Sequence, residues 1–320
     1  MSRLTENIVL DTKEMRAAYC DALIKKAREN EKIVVVDADV SHSVGTEPFY
    51  KEFPGRSVNC GIMEAHAVGM CAGMSETGLV PFFHAFGVFA TRRCFDQIFL
   101  SCAYQKLNVK IIGADPGVTA ASNGGTHMPF EDVALYNALP GATVIDASDP
   151  ACLASVLKQC QNRPGIKYIR VGRKQYARIY EDGSELPIGK AVTLKEGTDA
   201  VIFAAGLMLN EAMKAAASLE AQGISAAVVD CFTIKPIDAD AVEAWAKKTG
   251  AVVVAENANR HGGLYDMILE VLAERCPTPA AVVAVEDEFG EVGTQSYLME
   301  RFGLTAAHIE AQVKAVLARK

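Results

Sequence analysis

One carboxylate in an otherwise apolar stretch is the residue of this sequence best suited to acid–base chemistry. The segment NCGIMEAHAVGMCAGMSE, residues 59–76, places Glu64 at the start of a predicted helix of small and apolar residues. Burial favours the protonated form of a carboxyl group and a helix N-terminus favours the ionised form, so such a group can share a proton with a ligand nitrogen. The pattern fits equally well a Glu that only complements the helix dipole.

A cluster of phenylalanines follows that helix. The segment PFFHAFGVFATRRCFDQIF, residues 81–99, holds six of the 13 phenylalanines of the chain. Phe86 and Phe89 are three residues apart, and this spacing predicts that they share a helical face, where they could form a wall for a flat heteroaromatic ligand. A stripe of core residues produces the same spacing.

Two polar loops follow predicted strands. The loop DADVSHSVGT, residues 37–46, carries Asp39 and Ser43, and the long Gly-rich loop GADPGVTAASNGGTHMPFED, residues 113–132, carries His127. Ligands bind at the carboxyl ends of the strands in open α/β sheets, and long loops there often line sites. Turn and capping roles explain most of these polar residues equally well, and a lone loop His is usually solvent-exposed.

The elements that would position these residues alternate between short β-branched runs and helical stretches, which indicates an α/β fold. Most of the runs lack polar alternation, as expected for parallel strands covered by helices on both faces. A polar segment at 176–189, predicted to be poor in strands, divides the chain into two doubly wound domains, 1–188 and 189–320. Strands are predicted at 32–37, 80–83, 109–114, 142–146, 167–171, 200–205, 226–231, 251–256 and 281–285, and helices at 13–29, 64–77, 92–104, 150–161, 210–223 and 238–249.

Composition and missing motifs exclude several classes of protein. A net charge of -7 disfavours nucleic acid and anionic lipid as partners, and neither a membrane-spanning run nor a signal peptide is found, so we expect a cytoplasmic protein. Neither GxGxxG nor GxxxxGK[ST] occurs, and the nine cysteines form no CxxC pair, which predicts reduced core thiols and no metal site. No nucleophile elbow is present, so a cofactor is expected to carry any chemistry.

Taken in order, these segments resemble the C-terminal half of transketolase, the thiamine-diphosphate enzyme, over nearly the whole chain. The matching segments are GIMEAHAVG, PFFHAFGVFATRRCFDQI, NGGTHMPFED, IRVGR and VVDCFTIKPID. The resemblance implies a pyrimidine-binding domain at 1–188 and a transketolase C-terminal domain at 189–320. The family's diphosphate-binding domain has a Gly-Asp-Gly motif that is absent here, so the chain resembles one subunit of a split transketolase.

The resemblance also implies roles for individual residues. Glu64 matches the glutamate that hydrogen-bonds N1' of the aminopyrimidine and promotes deprotonation of the thiazolium C2. Phe86 and Phe89 match positions that pack around the pyrimidine ring, and Asp39 matches an acidic residue near the thiazolium. The remaining matched positions contact substrate: three hold the phosphate of a sugar phosphate, namely Arg16, Ser43 and Arg173, and the fourth is His127.

The sequence departs from the family at two places in the Gly-rich loop. Transketolases commonly carry a His-Asp pair and then an Asp, where this chain has Ala114-Asp115 and then Asn123. Two groups expected to bind donor hydroxyls are therefore replaced. Because a site built to hydrogen-bond one hydroxyl discriminates strongly against other substrates, these changes point to an unusual ketose phosphate.

The resemblance thus predicts an enzyme subunit that transfers a two-carbon ketol unit between sugar phosphates. It would act with a separate N-terminal subunit that holds most of the Mg²⁺ and diphosphate contacts, as a heterotetramer with two copies of each chain. Three alternatives remain open: a 1-deoxyxylulose-5-phosphate synthase-like half, the beta subunit of a 2-oxoacid dehydrogenase, and a non-catalytic assembly module that kept the fold.

Overall fold

The computed structural model describes residues 2–161 and 163–320. The first half of the chain alternates strands and helices, and its central strands are buried along their whole length. In chain order its elements are β1 (Leu4–Leu10), α1 (Met15–Glu29), β2 (Ile33–Asp37), α2 (Ser41–Val44), α3 (Glu47–Glu52), β3 (Ser57–Asn59), α4 (Glu64–Glu76), β4 (Val80–Phe86), α5 (Phe95–Gln97) with a π-helical turn (Ile98–Ala103), β5 (Lys110–Ala114), α6 (Asp132–Asn137), β6 (Thr143–Asp146), α7 (Pro150–Cys160), β7 (Lys167–Val171) and β8 (Ala177–Tyr180).

The second half of the chain repeats the alternation. Its helix α9 shows how local sequence sets element bounds: the Asp238 side chain accepts a hydrogen bond from the backbone N–H of Ala241, and Gly250 ends the helix in the left-handed conformation. The elements are β9 (Val192–Lys195), β10 (Ala200–Ala204), α8 (Met208–Ala221), β11 (Ala226–Asp230), β12 (Thr233–Lys235), α9 (Ala239–Thr249), β13 (Val252–Asn259), α10 (Leu264–Arg275), β14 (Ala280–Val285), α11 (Gln295–Arg301) and α12 (Ala306–Leu317).

The strands form two main sheets. The larger sheet has the order β12-β6-β7-β5-β4-β2-β3 and is parallel except for β12, and the smaller has the order β14-β13-β10-β11-β9 with β9 antiparallel. Strands β1 and β8 form a separate antiparallel pair. Because β12 comes from the second half but pairs with β6, the two halves share a sheet edge.

Helices cover both faces of the sheets, which confirms the α/β fold with two doubly wound units. Neighbouring residues of β2 illustrate the layering, since Val35 packs into the core on one face and Val36 into the core on the other. Each of these cores draws residues from both halves of the chain. Eight of the nine cysteines are buried within them.

Three of the differences between the structure and the sequence predictions concern the candidate site or the predicted domain boundary. The segment 176–189, predicted to be poor in strands, contains β8, which pairs with the N-terminal strand β1. The helix predicted at 92–104 begins only at Phe95 and continues as a π-helical turn. Phe86 and Phe89 do not share a helical face, because Phe86 ends β4 and residues 87–94 form turns.

None of the helices in the described parts of the chain is long and apolar enough to cross a lipid bilayer.

Candidate active site

The predicted site residues gather at the carboxyl edge of the larger sheet. Strands β2, β4, β5 and β7 are parallel neighbours, so they end at the same edge. Phe86 is the last residue of β4, Asp115 follows β5 directly, and Arg173 lies two residues beyond β7. The order of the sheet therefore places residues from separate segments of the chain around one surface.

Glu64 is the first residue of α4, as the sequence predicts, and its side chain is only 4% exposed. Its Oε1 atom lies 3.0 Å from Nη1 of Arg93, a half-exposed residue whose guanidinium stands 3.6 Å above the ring centroid of Phe89. The guanidinium thus connects the buried carboxylate to an aromatic ring. Ile62 and Met63, which precede Glu64, are exposed large hydrophobic residues.

Three rings form an aromatic cluster beside the Glu64–Arg93 pair. The ring centroids of Phe86 and Phe89 are 6.3 Å apart with a T-shaped arrangement, and His127 lies 5.6 Å from the first ring and 5.2 Å from the second. The turn between the two phenylalanines requires Gly87, because a Cβ atom there would lie 2.7 Å from Cγ of Pro129. The predicted proximity of the two phenylalanines is therefore real, although a turn produces it.

A partly buried ion pair lies beside Phe86 of the aromatic cluster. Arg173 donates from Nε to Asp115 at 3.1 Å and also from Nη2, and its guanidinium carbon is 5.7 Å from the Phe86 ring centroid. Burial raises the pKa of Asp115, whereas the hydrogen bond from Arg173 lowers it. Asp115 has a φ of 56°, in the left-handed region that Asp and Asn tolerate better than most residues.

Arg16 is held in a second ion pair close to the first. Its Nε donates to Glu14 at 2.8 Å and its Nη1 donates to the backbone carbonyl of Ser43 at 3.0 Å. Lys174 donates to the other Glu14 oxygen at 3.1 Å, and the hydrogen bond from Arg16 is the largest cause of the lowered pKa of Glu14. Ser43 therefore takes part through its backbone, and the charge of Arg16 is already paired.

Asp39 lies at the β3 side of the same edge. Its carboxylate accepts a hydrogen bond from Nδ2 of Asn59 at 3.0 Å, and its N–H donates to Oδ1 of Asn59 at 3.2 Å. Its φ of 59° again marks a tight turn beyond the end of a strand. Among the described residues, no group of three or more His, Cys, Asp or Glu side chains could hold a metal ion.

The Gly-rich loop of the first half is anchored by contacts with the second half of the chain. Asn257, on β13 and 1% exposed, accepts a hydrogen bond from the Val118 N–H at 3.0 Å and donates to the Pro116 carbonyl at 3.0 Å. Further along the loop, a Cβ atom on Gly125 would lie 2.0 Å from the Gly290 carbonyl oxygen. The loop that carries Asp115 and His127 is therefore docked on the other half of the chain.

The partners that hold the predicted residues carry little signal in the sequence. The sequence does not single out Arg93, Glu14 or Asn257, and Asp115 is named only as the second residue of the Ala114-Asp115 pair, in which Ala114 is the departure from the family pattern. The adjacent arginines in TRRC, within an apolar segment, were the one available signal for Arg93. Nothing in the sequence marks Asn257, because its partners are 139 and 141 residues away.

Comparisons with known proteins cover both halves of the chain. Family models described as "Transketolase, pyrimidine binding domain" and "Transketolase, C-terminal domain" match residues 11–178 and 189–309. The chain is 44% identical to the 6-deoxy-6-sulfo-D-fructose transketolase subunit SqwH of Clostridium sp. (strain MSTE9), over 98% of this chain and 97% of that protein. It is 35% identical to an apulose-4-phosphate transketolase subunit of Phocaeicola vulgatus, over 90% and 93% of the two chains.

A solved structure described as "Split gene transketolase, inactive beta4 tetramer" superposes on this chain with a TM-score of 0.88 at 40% sequence identity. The superposition covers 95% of this chain and 98% of that chain. The match therefore extends over both sheets.

Proposed function

The chain belongs to the transketolase family, and we propose that it is the pyrimidine-binding subunit of a split transketolase, active only with a partner chain. The family depends on thiamine diphosphate, and its relatives of this length are named as transketolase subunits, which are transferases. The reaction proposed is transfer of a two-carbon ketol unit from a ketose to an aldose phosphate. One observation carries the proposal: a buried carboxylate at a helix N-terminus, Glu64, beside an aromatic cluster.

These residues fit the pyrimidine half of the cofactor. A carboxylate suits a ring nitrogen, and the rings of Phe86 and Phe89 suit a flat heteroaromatic group. We assign cofactor binding to Glu64, Phe86, Phe89 and Asp39. When bound, the cofactor would supply a nucleophilic carbon for the chemistry at the ketose carbonyl.

Glu64 is the proposed catalytic residue. Its carboxylate would accept or donate the proton of the pyrimidine N1', and burial limits competition from water. Arg93, 3.0 Å away, would have to share the carboxylate with that nitrogen or turn aside. Its half-exposed side chain has room for either movement.

Substrate contacts are assigned to His127 of the aromatic cluster and to residues of the two nearby ion pairs. His127, against both phenylalanine rings, would contact the sugar, while Arg16, Ser43 and Arg173 would hold the terminal anionic group. The names of the two relatives include a 6-sulfo sugar and a 4-phosphate, so a sulfonate and a phosphate are the two terminal groups to be considered for the donor.

The partner chain is proposed to hold the diphosphate and Mg²⁺. The sequence lacks the Gly-Asp-Gly motif, and the described residues form no metal cluster. The similar solved structure is a beta4 tetramer described as inactive, which is what a missing half-site would produce. We propose an assembly of two copies of each chain, with domains at 1–188 and 189–320 in this one.

The experiment compares Glu64→Gln with Glu76→Gln, which changes an exposed Glu at the other end of α4. Each variant is reconstituted with the partner subunit, and ketol transfer and thiamine diphosphate binding are measured. We expect Glu64→Gln to lower turnover by roughly 10²-fold or more, as for other lost acid–base groups, and Glu76→Gln to have no effect. Retained turnover in Glu64→Gln with normal cofactor binding would show a non-catalytic assembly role, and turnover by the chain alone would refute the split site.

A further inference from the structure

We infer that Arg93 is a built-in substitute for the aminopyrimidine ring. In the subunit without cofactor its guanidinium occupies the place beside Glu64 and Phe89, and thiamine diphosphate binds only when this side chain moves out. The inference rests on the proposed function, because Glu64 and Phe89 are the residues assigned there to the pyrimidine. It goes further by identifying a side chain of the same chain that competes with the cofactor.

Arg93 makes both contacts that are proposed for the pyrimidine. Its Nη1 donates to Oε1 of Glu64 at 3.0 Å, and its guanidinium carbon lies 3.6 Å from the ring centroid of Phe89. A guanidinium is planar, carries its N–H groups at its edge and stacks on aromatic faces, so it resembles an aminopyrimidine in shape and in both kinds of contact. The guanidinium therefore fills the space that a ring in contact with both residues would need.

The burial of Glu64 gives a reason for such a substitute. The Glu64 side chain is 4% exposed, and Arg93 is the only described residue that forms an ion pair with it. A buried carboxylate that loses its counter-charge is strongly destabilising, so Arg93 stabilises the cofactor-free site. Binding of the cofactor has to replace this ion pair as well as the contact with Phe89.

Of the two paired side chains, Arg93 is the one that can move. Its side chain is half-exposed, whereas Glu64 is buried at the first turn of α4. Within the described parts of the chain, the guanidinium has no hydrogen-bond, ion-pair or ring partner besides Glu64 and Phe89. Movement into solvent thus breaks one half-exposed ion pair and one cation–π contact, and water solvates the released charge.

The adjacent Arg92 provides a matched control. Its side chain is exposed to a similar degree, but its Nε lies 2.9 Å from Oε1 of Glu131, away from the Glu64 ion pair. Removal of Arg92 therefore removes the same charge from the neighbouring position without emptying the place beside Glu64 and Phe89.

The test measures the affinity for thiamine diphosphate by isothermal titration calorimetry, with Mg²⁺ and a saturating amount of the partner subunit. We expect Arg93→Ala to lower the Kd about tenfold, because an ion pair and a cation–π contact of this exposure keep the native site closed in about nine molecules of ten. Arg93→Gln, which keeps much of the side chain but loses the charge, should change the Kd in the same direction and less strongly. Arg92→Ala should leave the Kd unchanged.

A second measurement asks whether a guanidinium group competes with the cofactor. In Arg93→Ala the place beside Glu64 and Phe89 is empty, so methylguanidinium at millimolar concentration should occupy it and raise the Kd of thiamine diphosphate again. The native enzyme and Arg92→Ala already hold Arg93 there, and methylguanidinium should affect them much less.

A Kd that is unchanged or higher in both Arg93 variants would overturn the inference, and a higher Kd would make Arg93 a residue that holds the cofactor. Equal competition by methylguanidinium in the native enzyme and in Arg93→Ala would also overturn it. In each of these cases the proposed function stands, because the native enzyme binds the cofactor. Failure of the native enzyme and of every variant to bind thiamine diphosphate would instead count against the proposed function.

Discussion

Asn257→Ala tests whether the second half of the chain holds the substrate loop. The Asn257 side chain accepts from the Val118 N–H and donates to the Pro116 carbonyl, both at 3.0 Å, and it is buried. Truncation removes two hydrogen bonds and leaves the buried Val118 N–H without a partner, whereas the Pro116 carbonyl keeps its hydrogen bonds from the N–H and hydroxyl of Thr119. With about 1 to 3 kcal/mol for the unsatisfied N–H and about 1 kcal/mol for the second lost hydrogen bond, we expect a loss of about 3 kcal/mol.

We expect the substitution to destabilise the loop locally more than it destabilises the whole chain. The Asn257 side chain hydrogen-bonds residues 116 and 118, so its truncation would loosen the loop that carries Asp115 and His127. Both sheets would keep their own contacts. The free energy of unfolding in urea reports the total effect, and limited proteolysis within 113–132 reports the local one. In the reconstituted enzyme, KM for the donor should rise while the affinity for thiamine diphosphate changes little.

The matched control is Asn137→Ala. Asn137 also joins the two halves, through one 2.8 Å hydrogen bond from Nδ2 to the Gly262 carbonyl, and this bond does not involve the loop. It should cost about 1 kcal/mol and leave proteolysis of the loop unchanged. If the two variants lose equal stability and the loop is equally protected in both, the reasoning about Asn257 is wrong.

Two further predictions concern buried charges. Arg170→Met should lower the free energy of unfolding in urea by about 3 to 5 kcal/mol, because it leaves Asp132 and Asp146 buried without their shared cation. The control Arg275→Met, at an exposed ion pair, should lower it by less than about 1 kcal/mol. Burial raises the pKa of Asp230 from 3.8 to about 7, so the folded state favours the protonated carboxyl group. The contribution of this group to the free energy of unfolding is therefore fully present below about pH 4 and is lost as the pH rises through 7. Thermal melts should therefore show Asp230→Asn gaining stability relative to the native chain between pH 4 and pH 8, and a constant difference would contradict the assignment.

The elements that the sequence predicted are those with a strong local signal. Strands such as β2, with the sequence IVVVD, are buried on both faces and consist mostly of β-branched residues, so composition alone identifies them. Among the strands that the sequence did not predict, β1, β8 and β9 contain polar residues and are partly exposed. Their conformation is set by partners far away in the chain, as when Leu4 pairs with Tyr180.

For the site, the sequence by itself determined which residues could do chemistry, since Glu64 follows from a carboxylate placed at the start of an apolar helix and the phenylalanines follow from their local density. Only the tertiary structure decided what those residues contact. Arg93 meets Glu64 across 29 positions, Arg173 meets Asp115 across 58, and Asn257 meets Val118 across 139. Hydrogen bonds and ion pairs depend on distance in space, and the order of strands in the sheet, which no local pattern encodes, sets that distance.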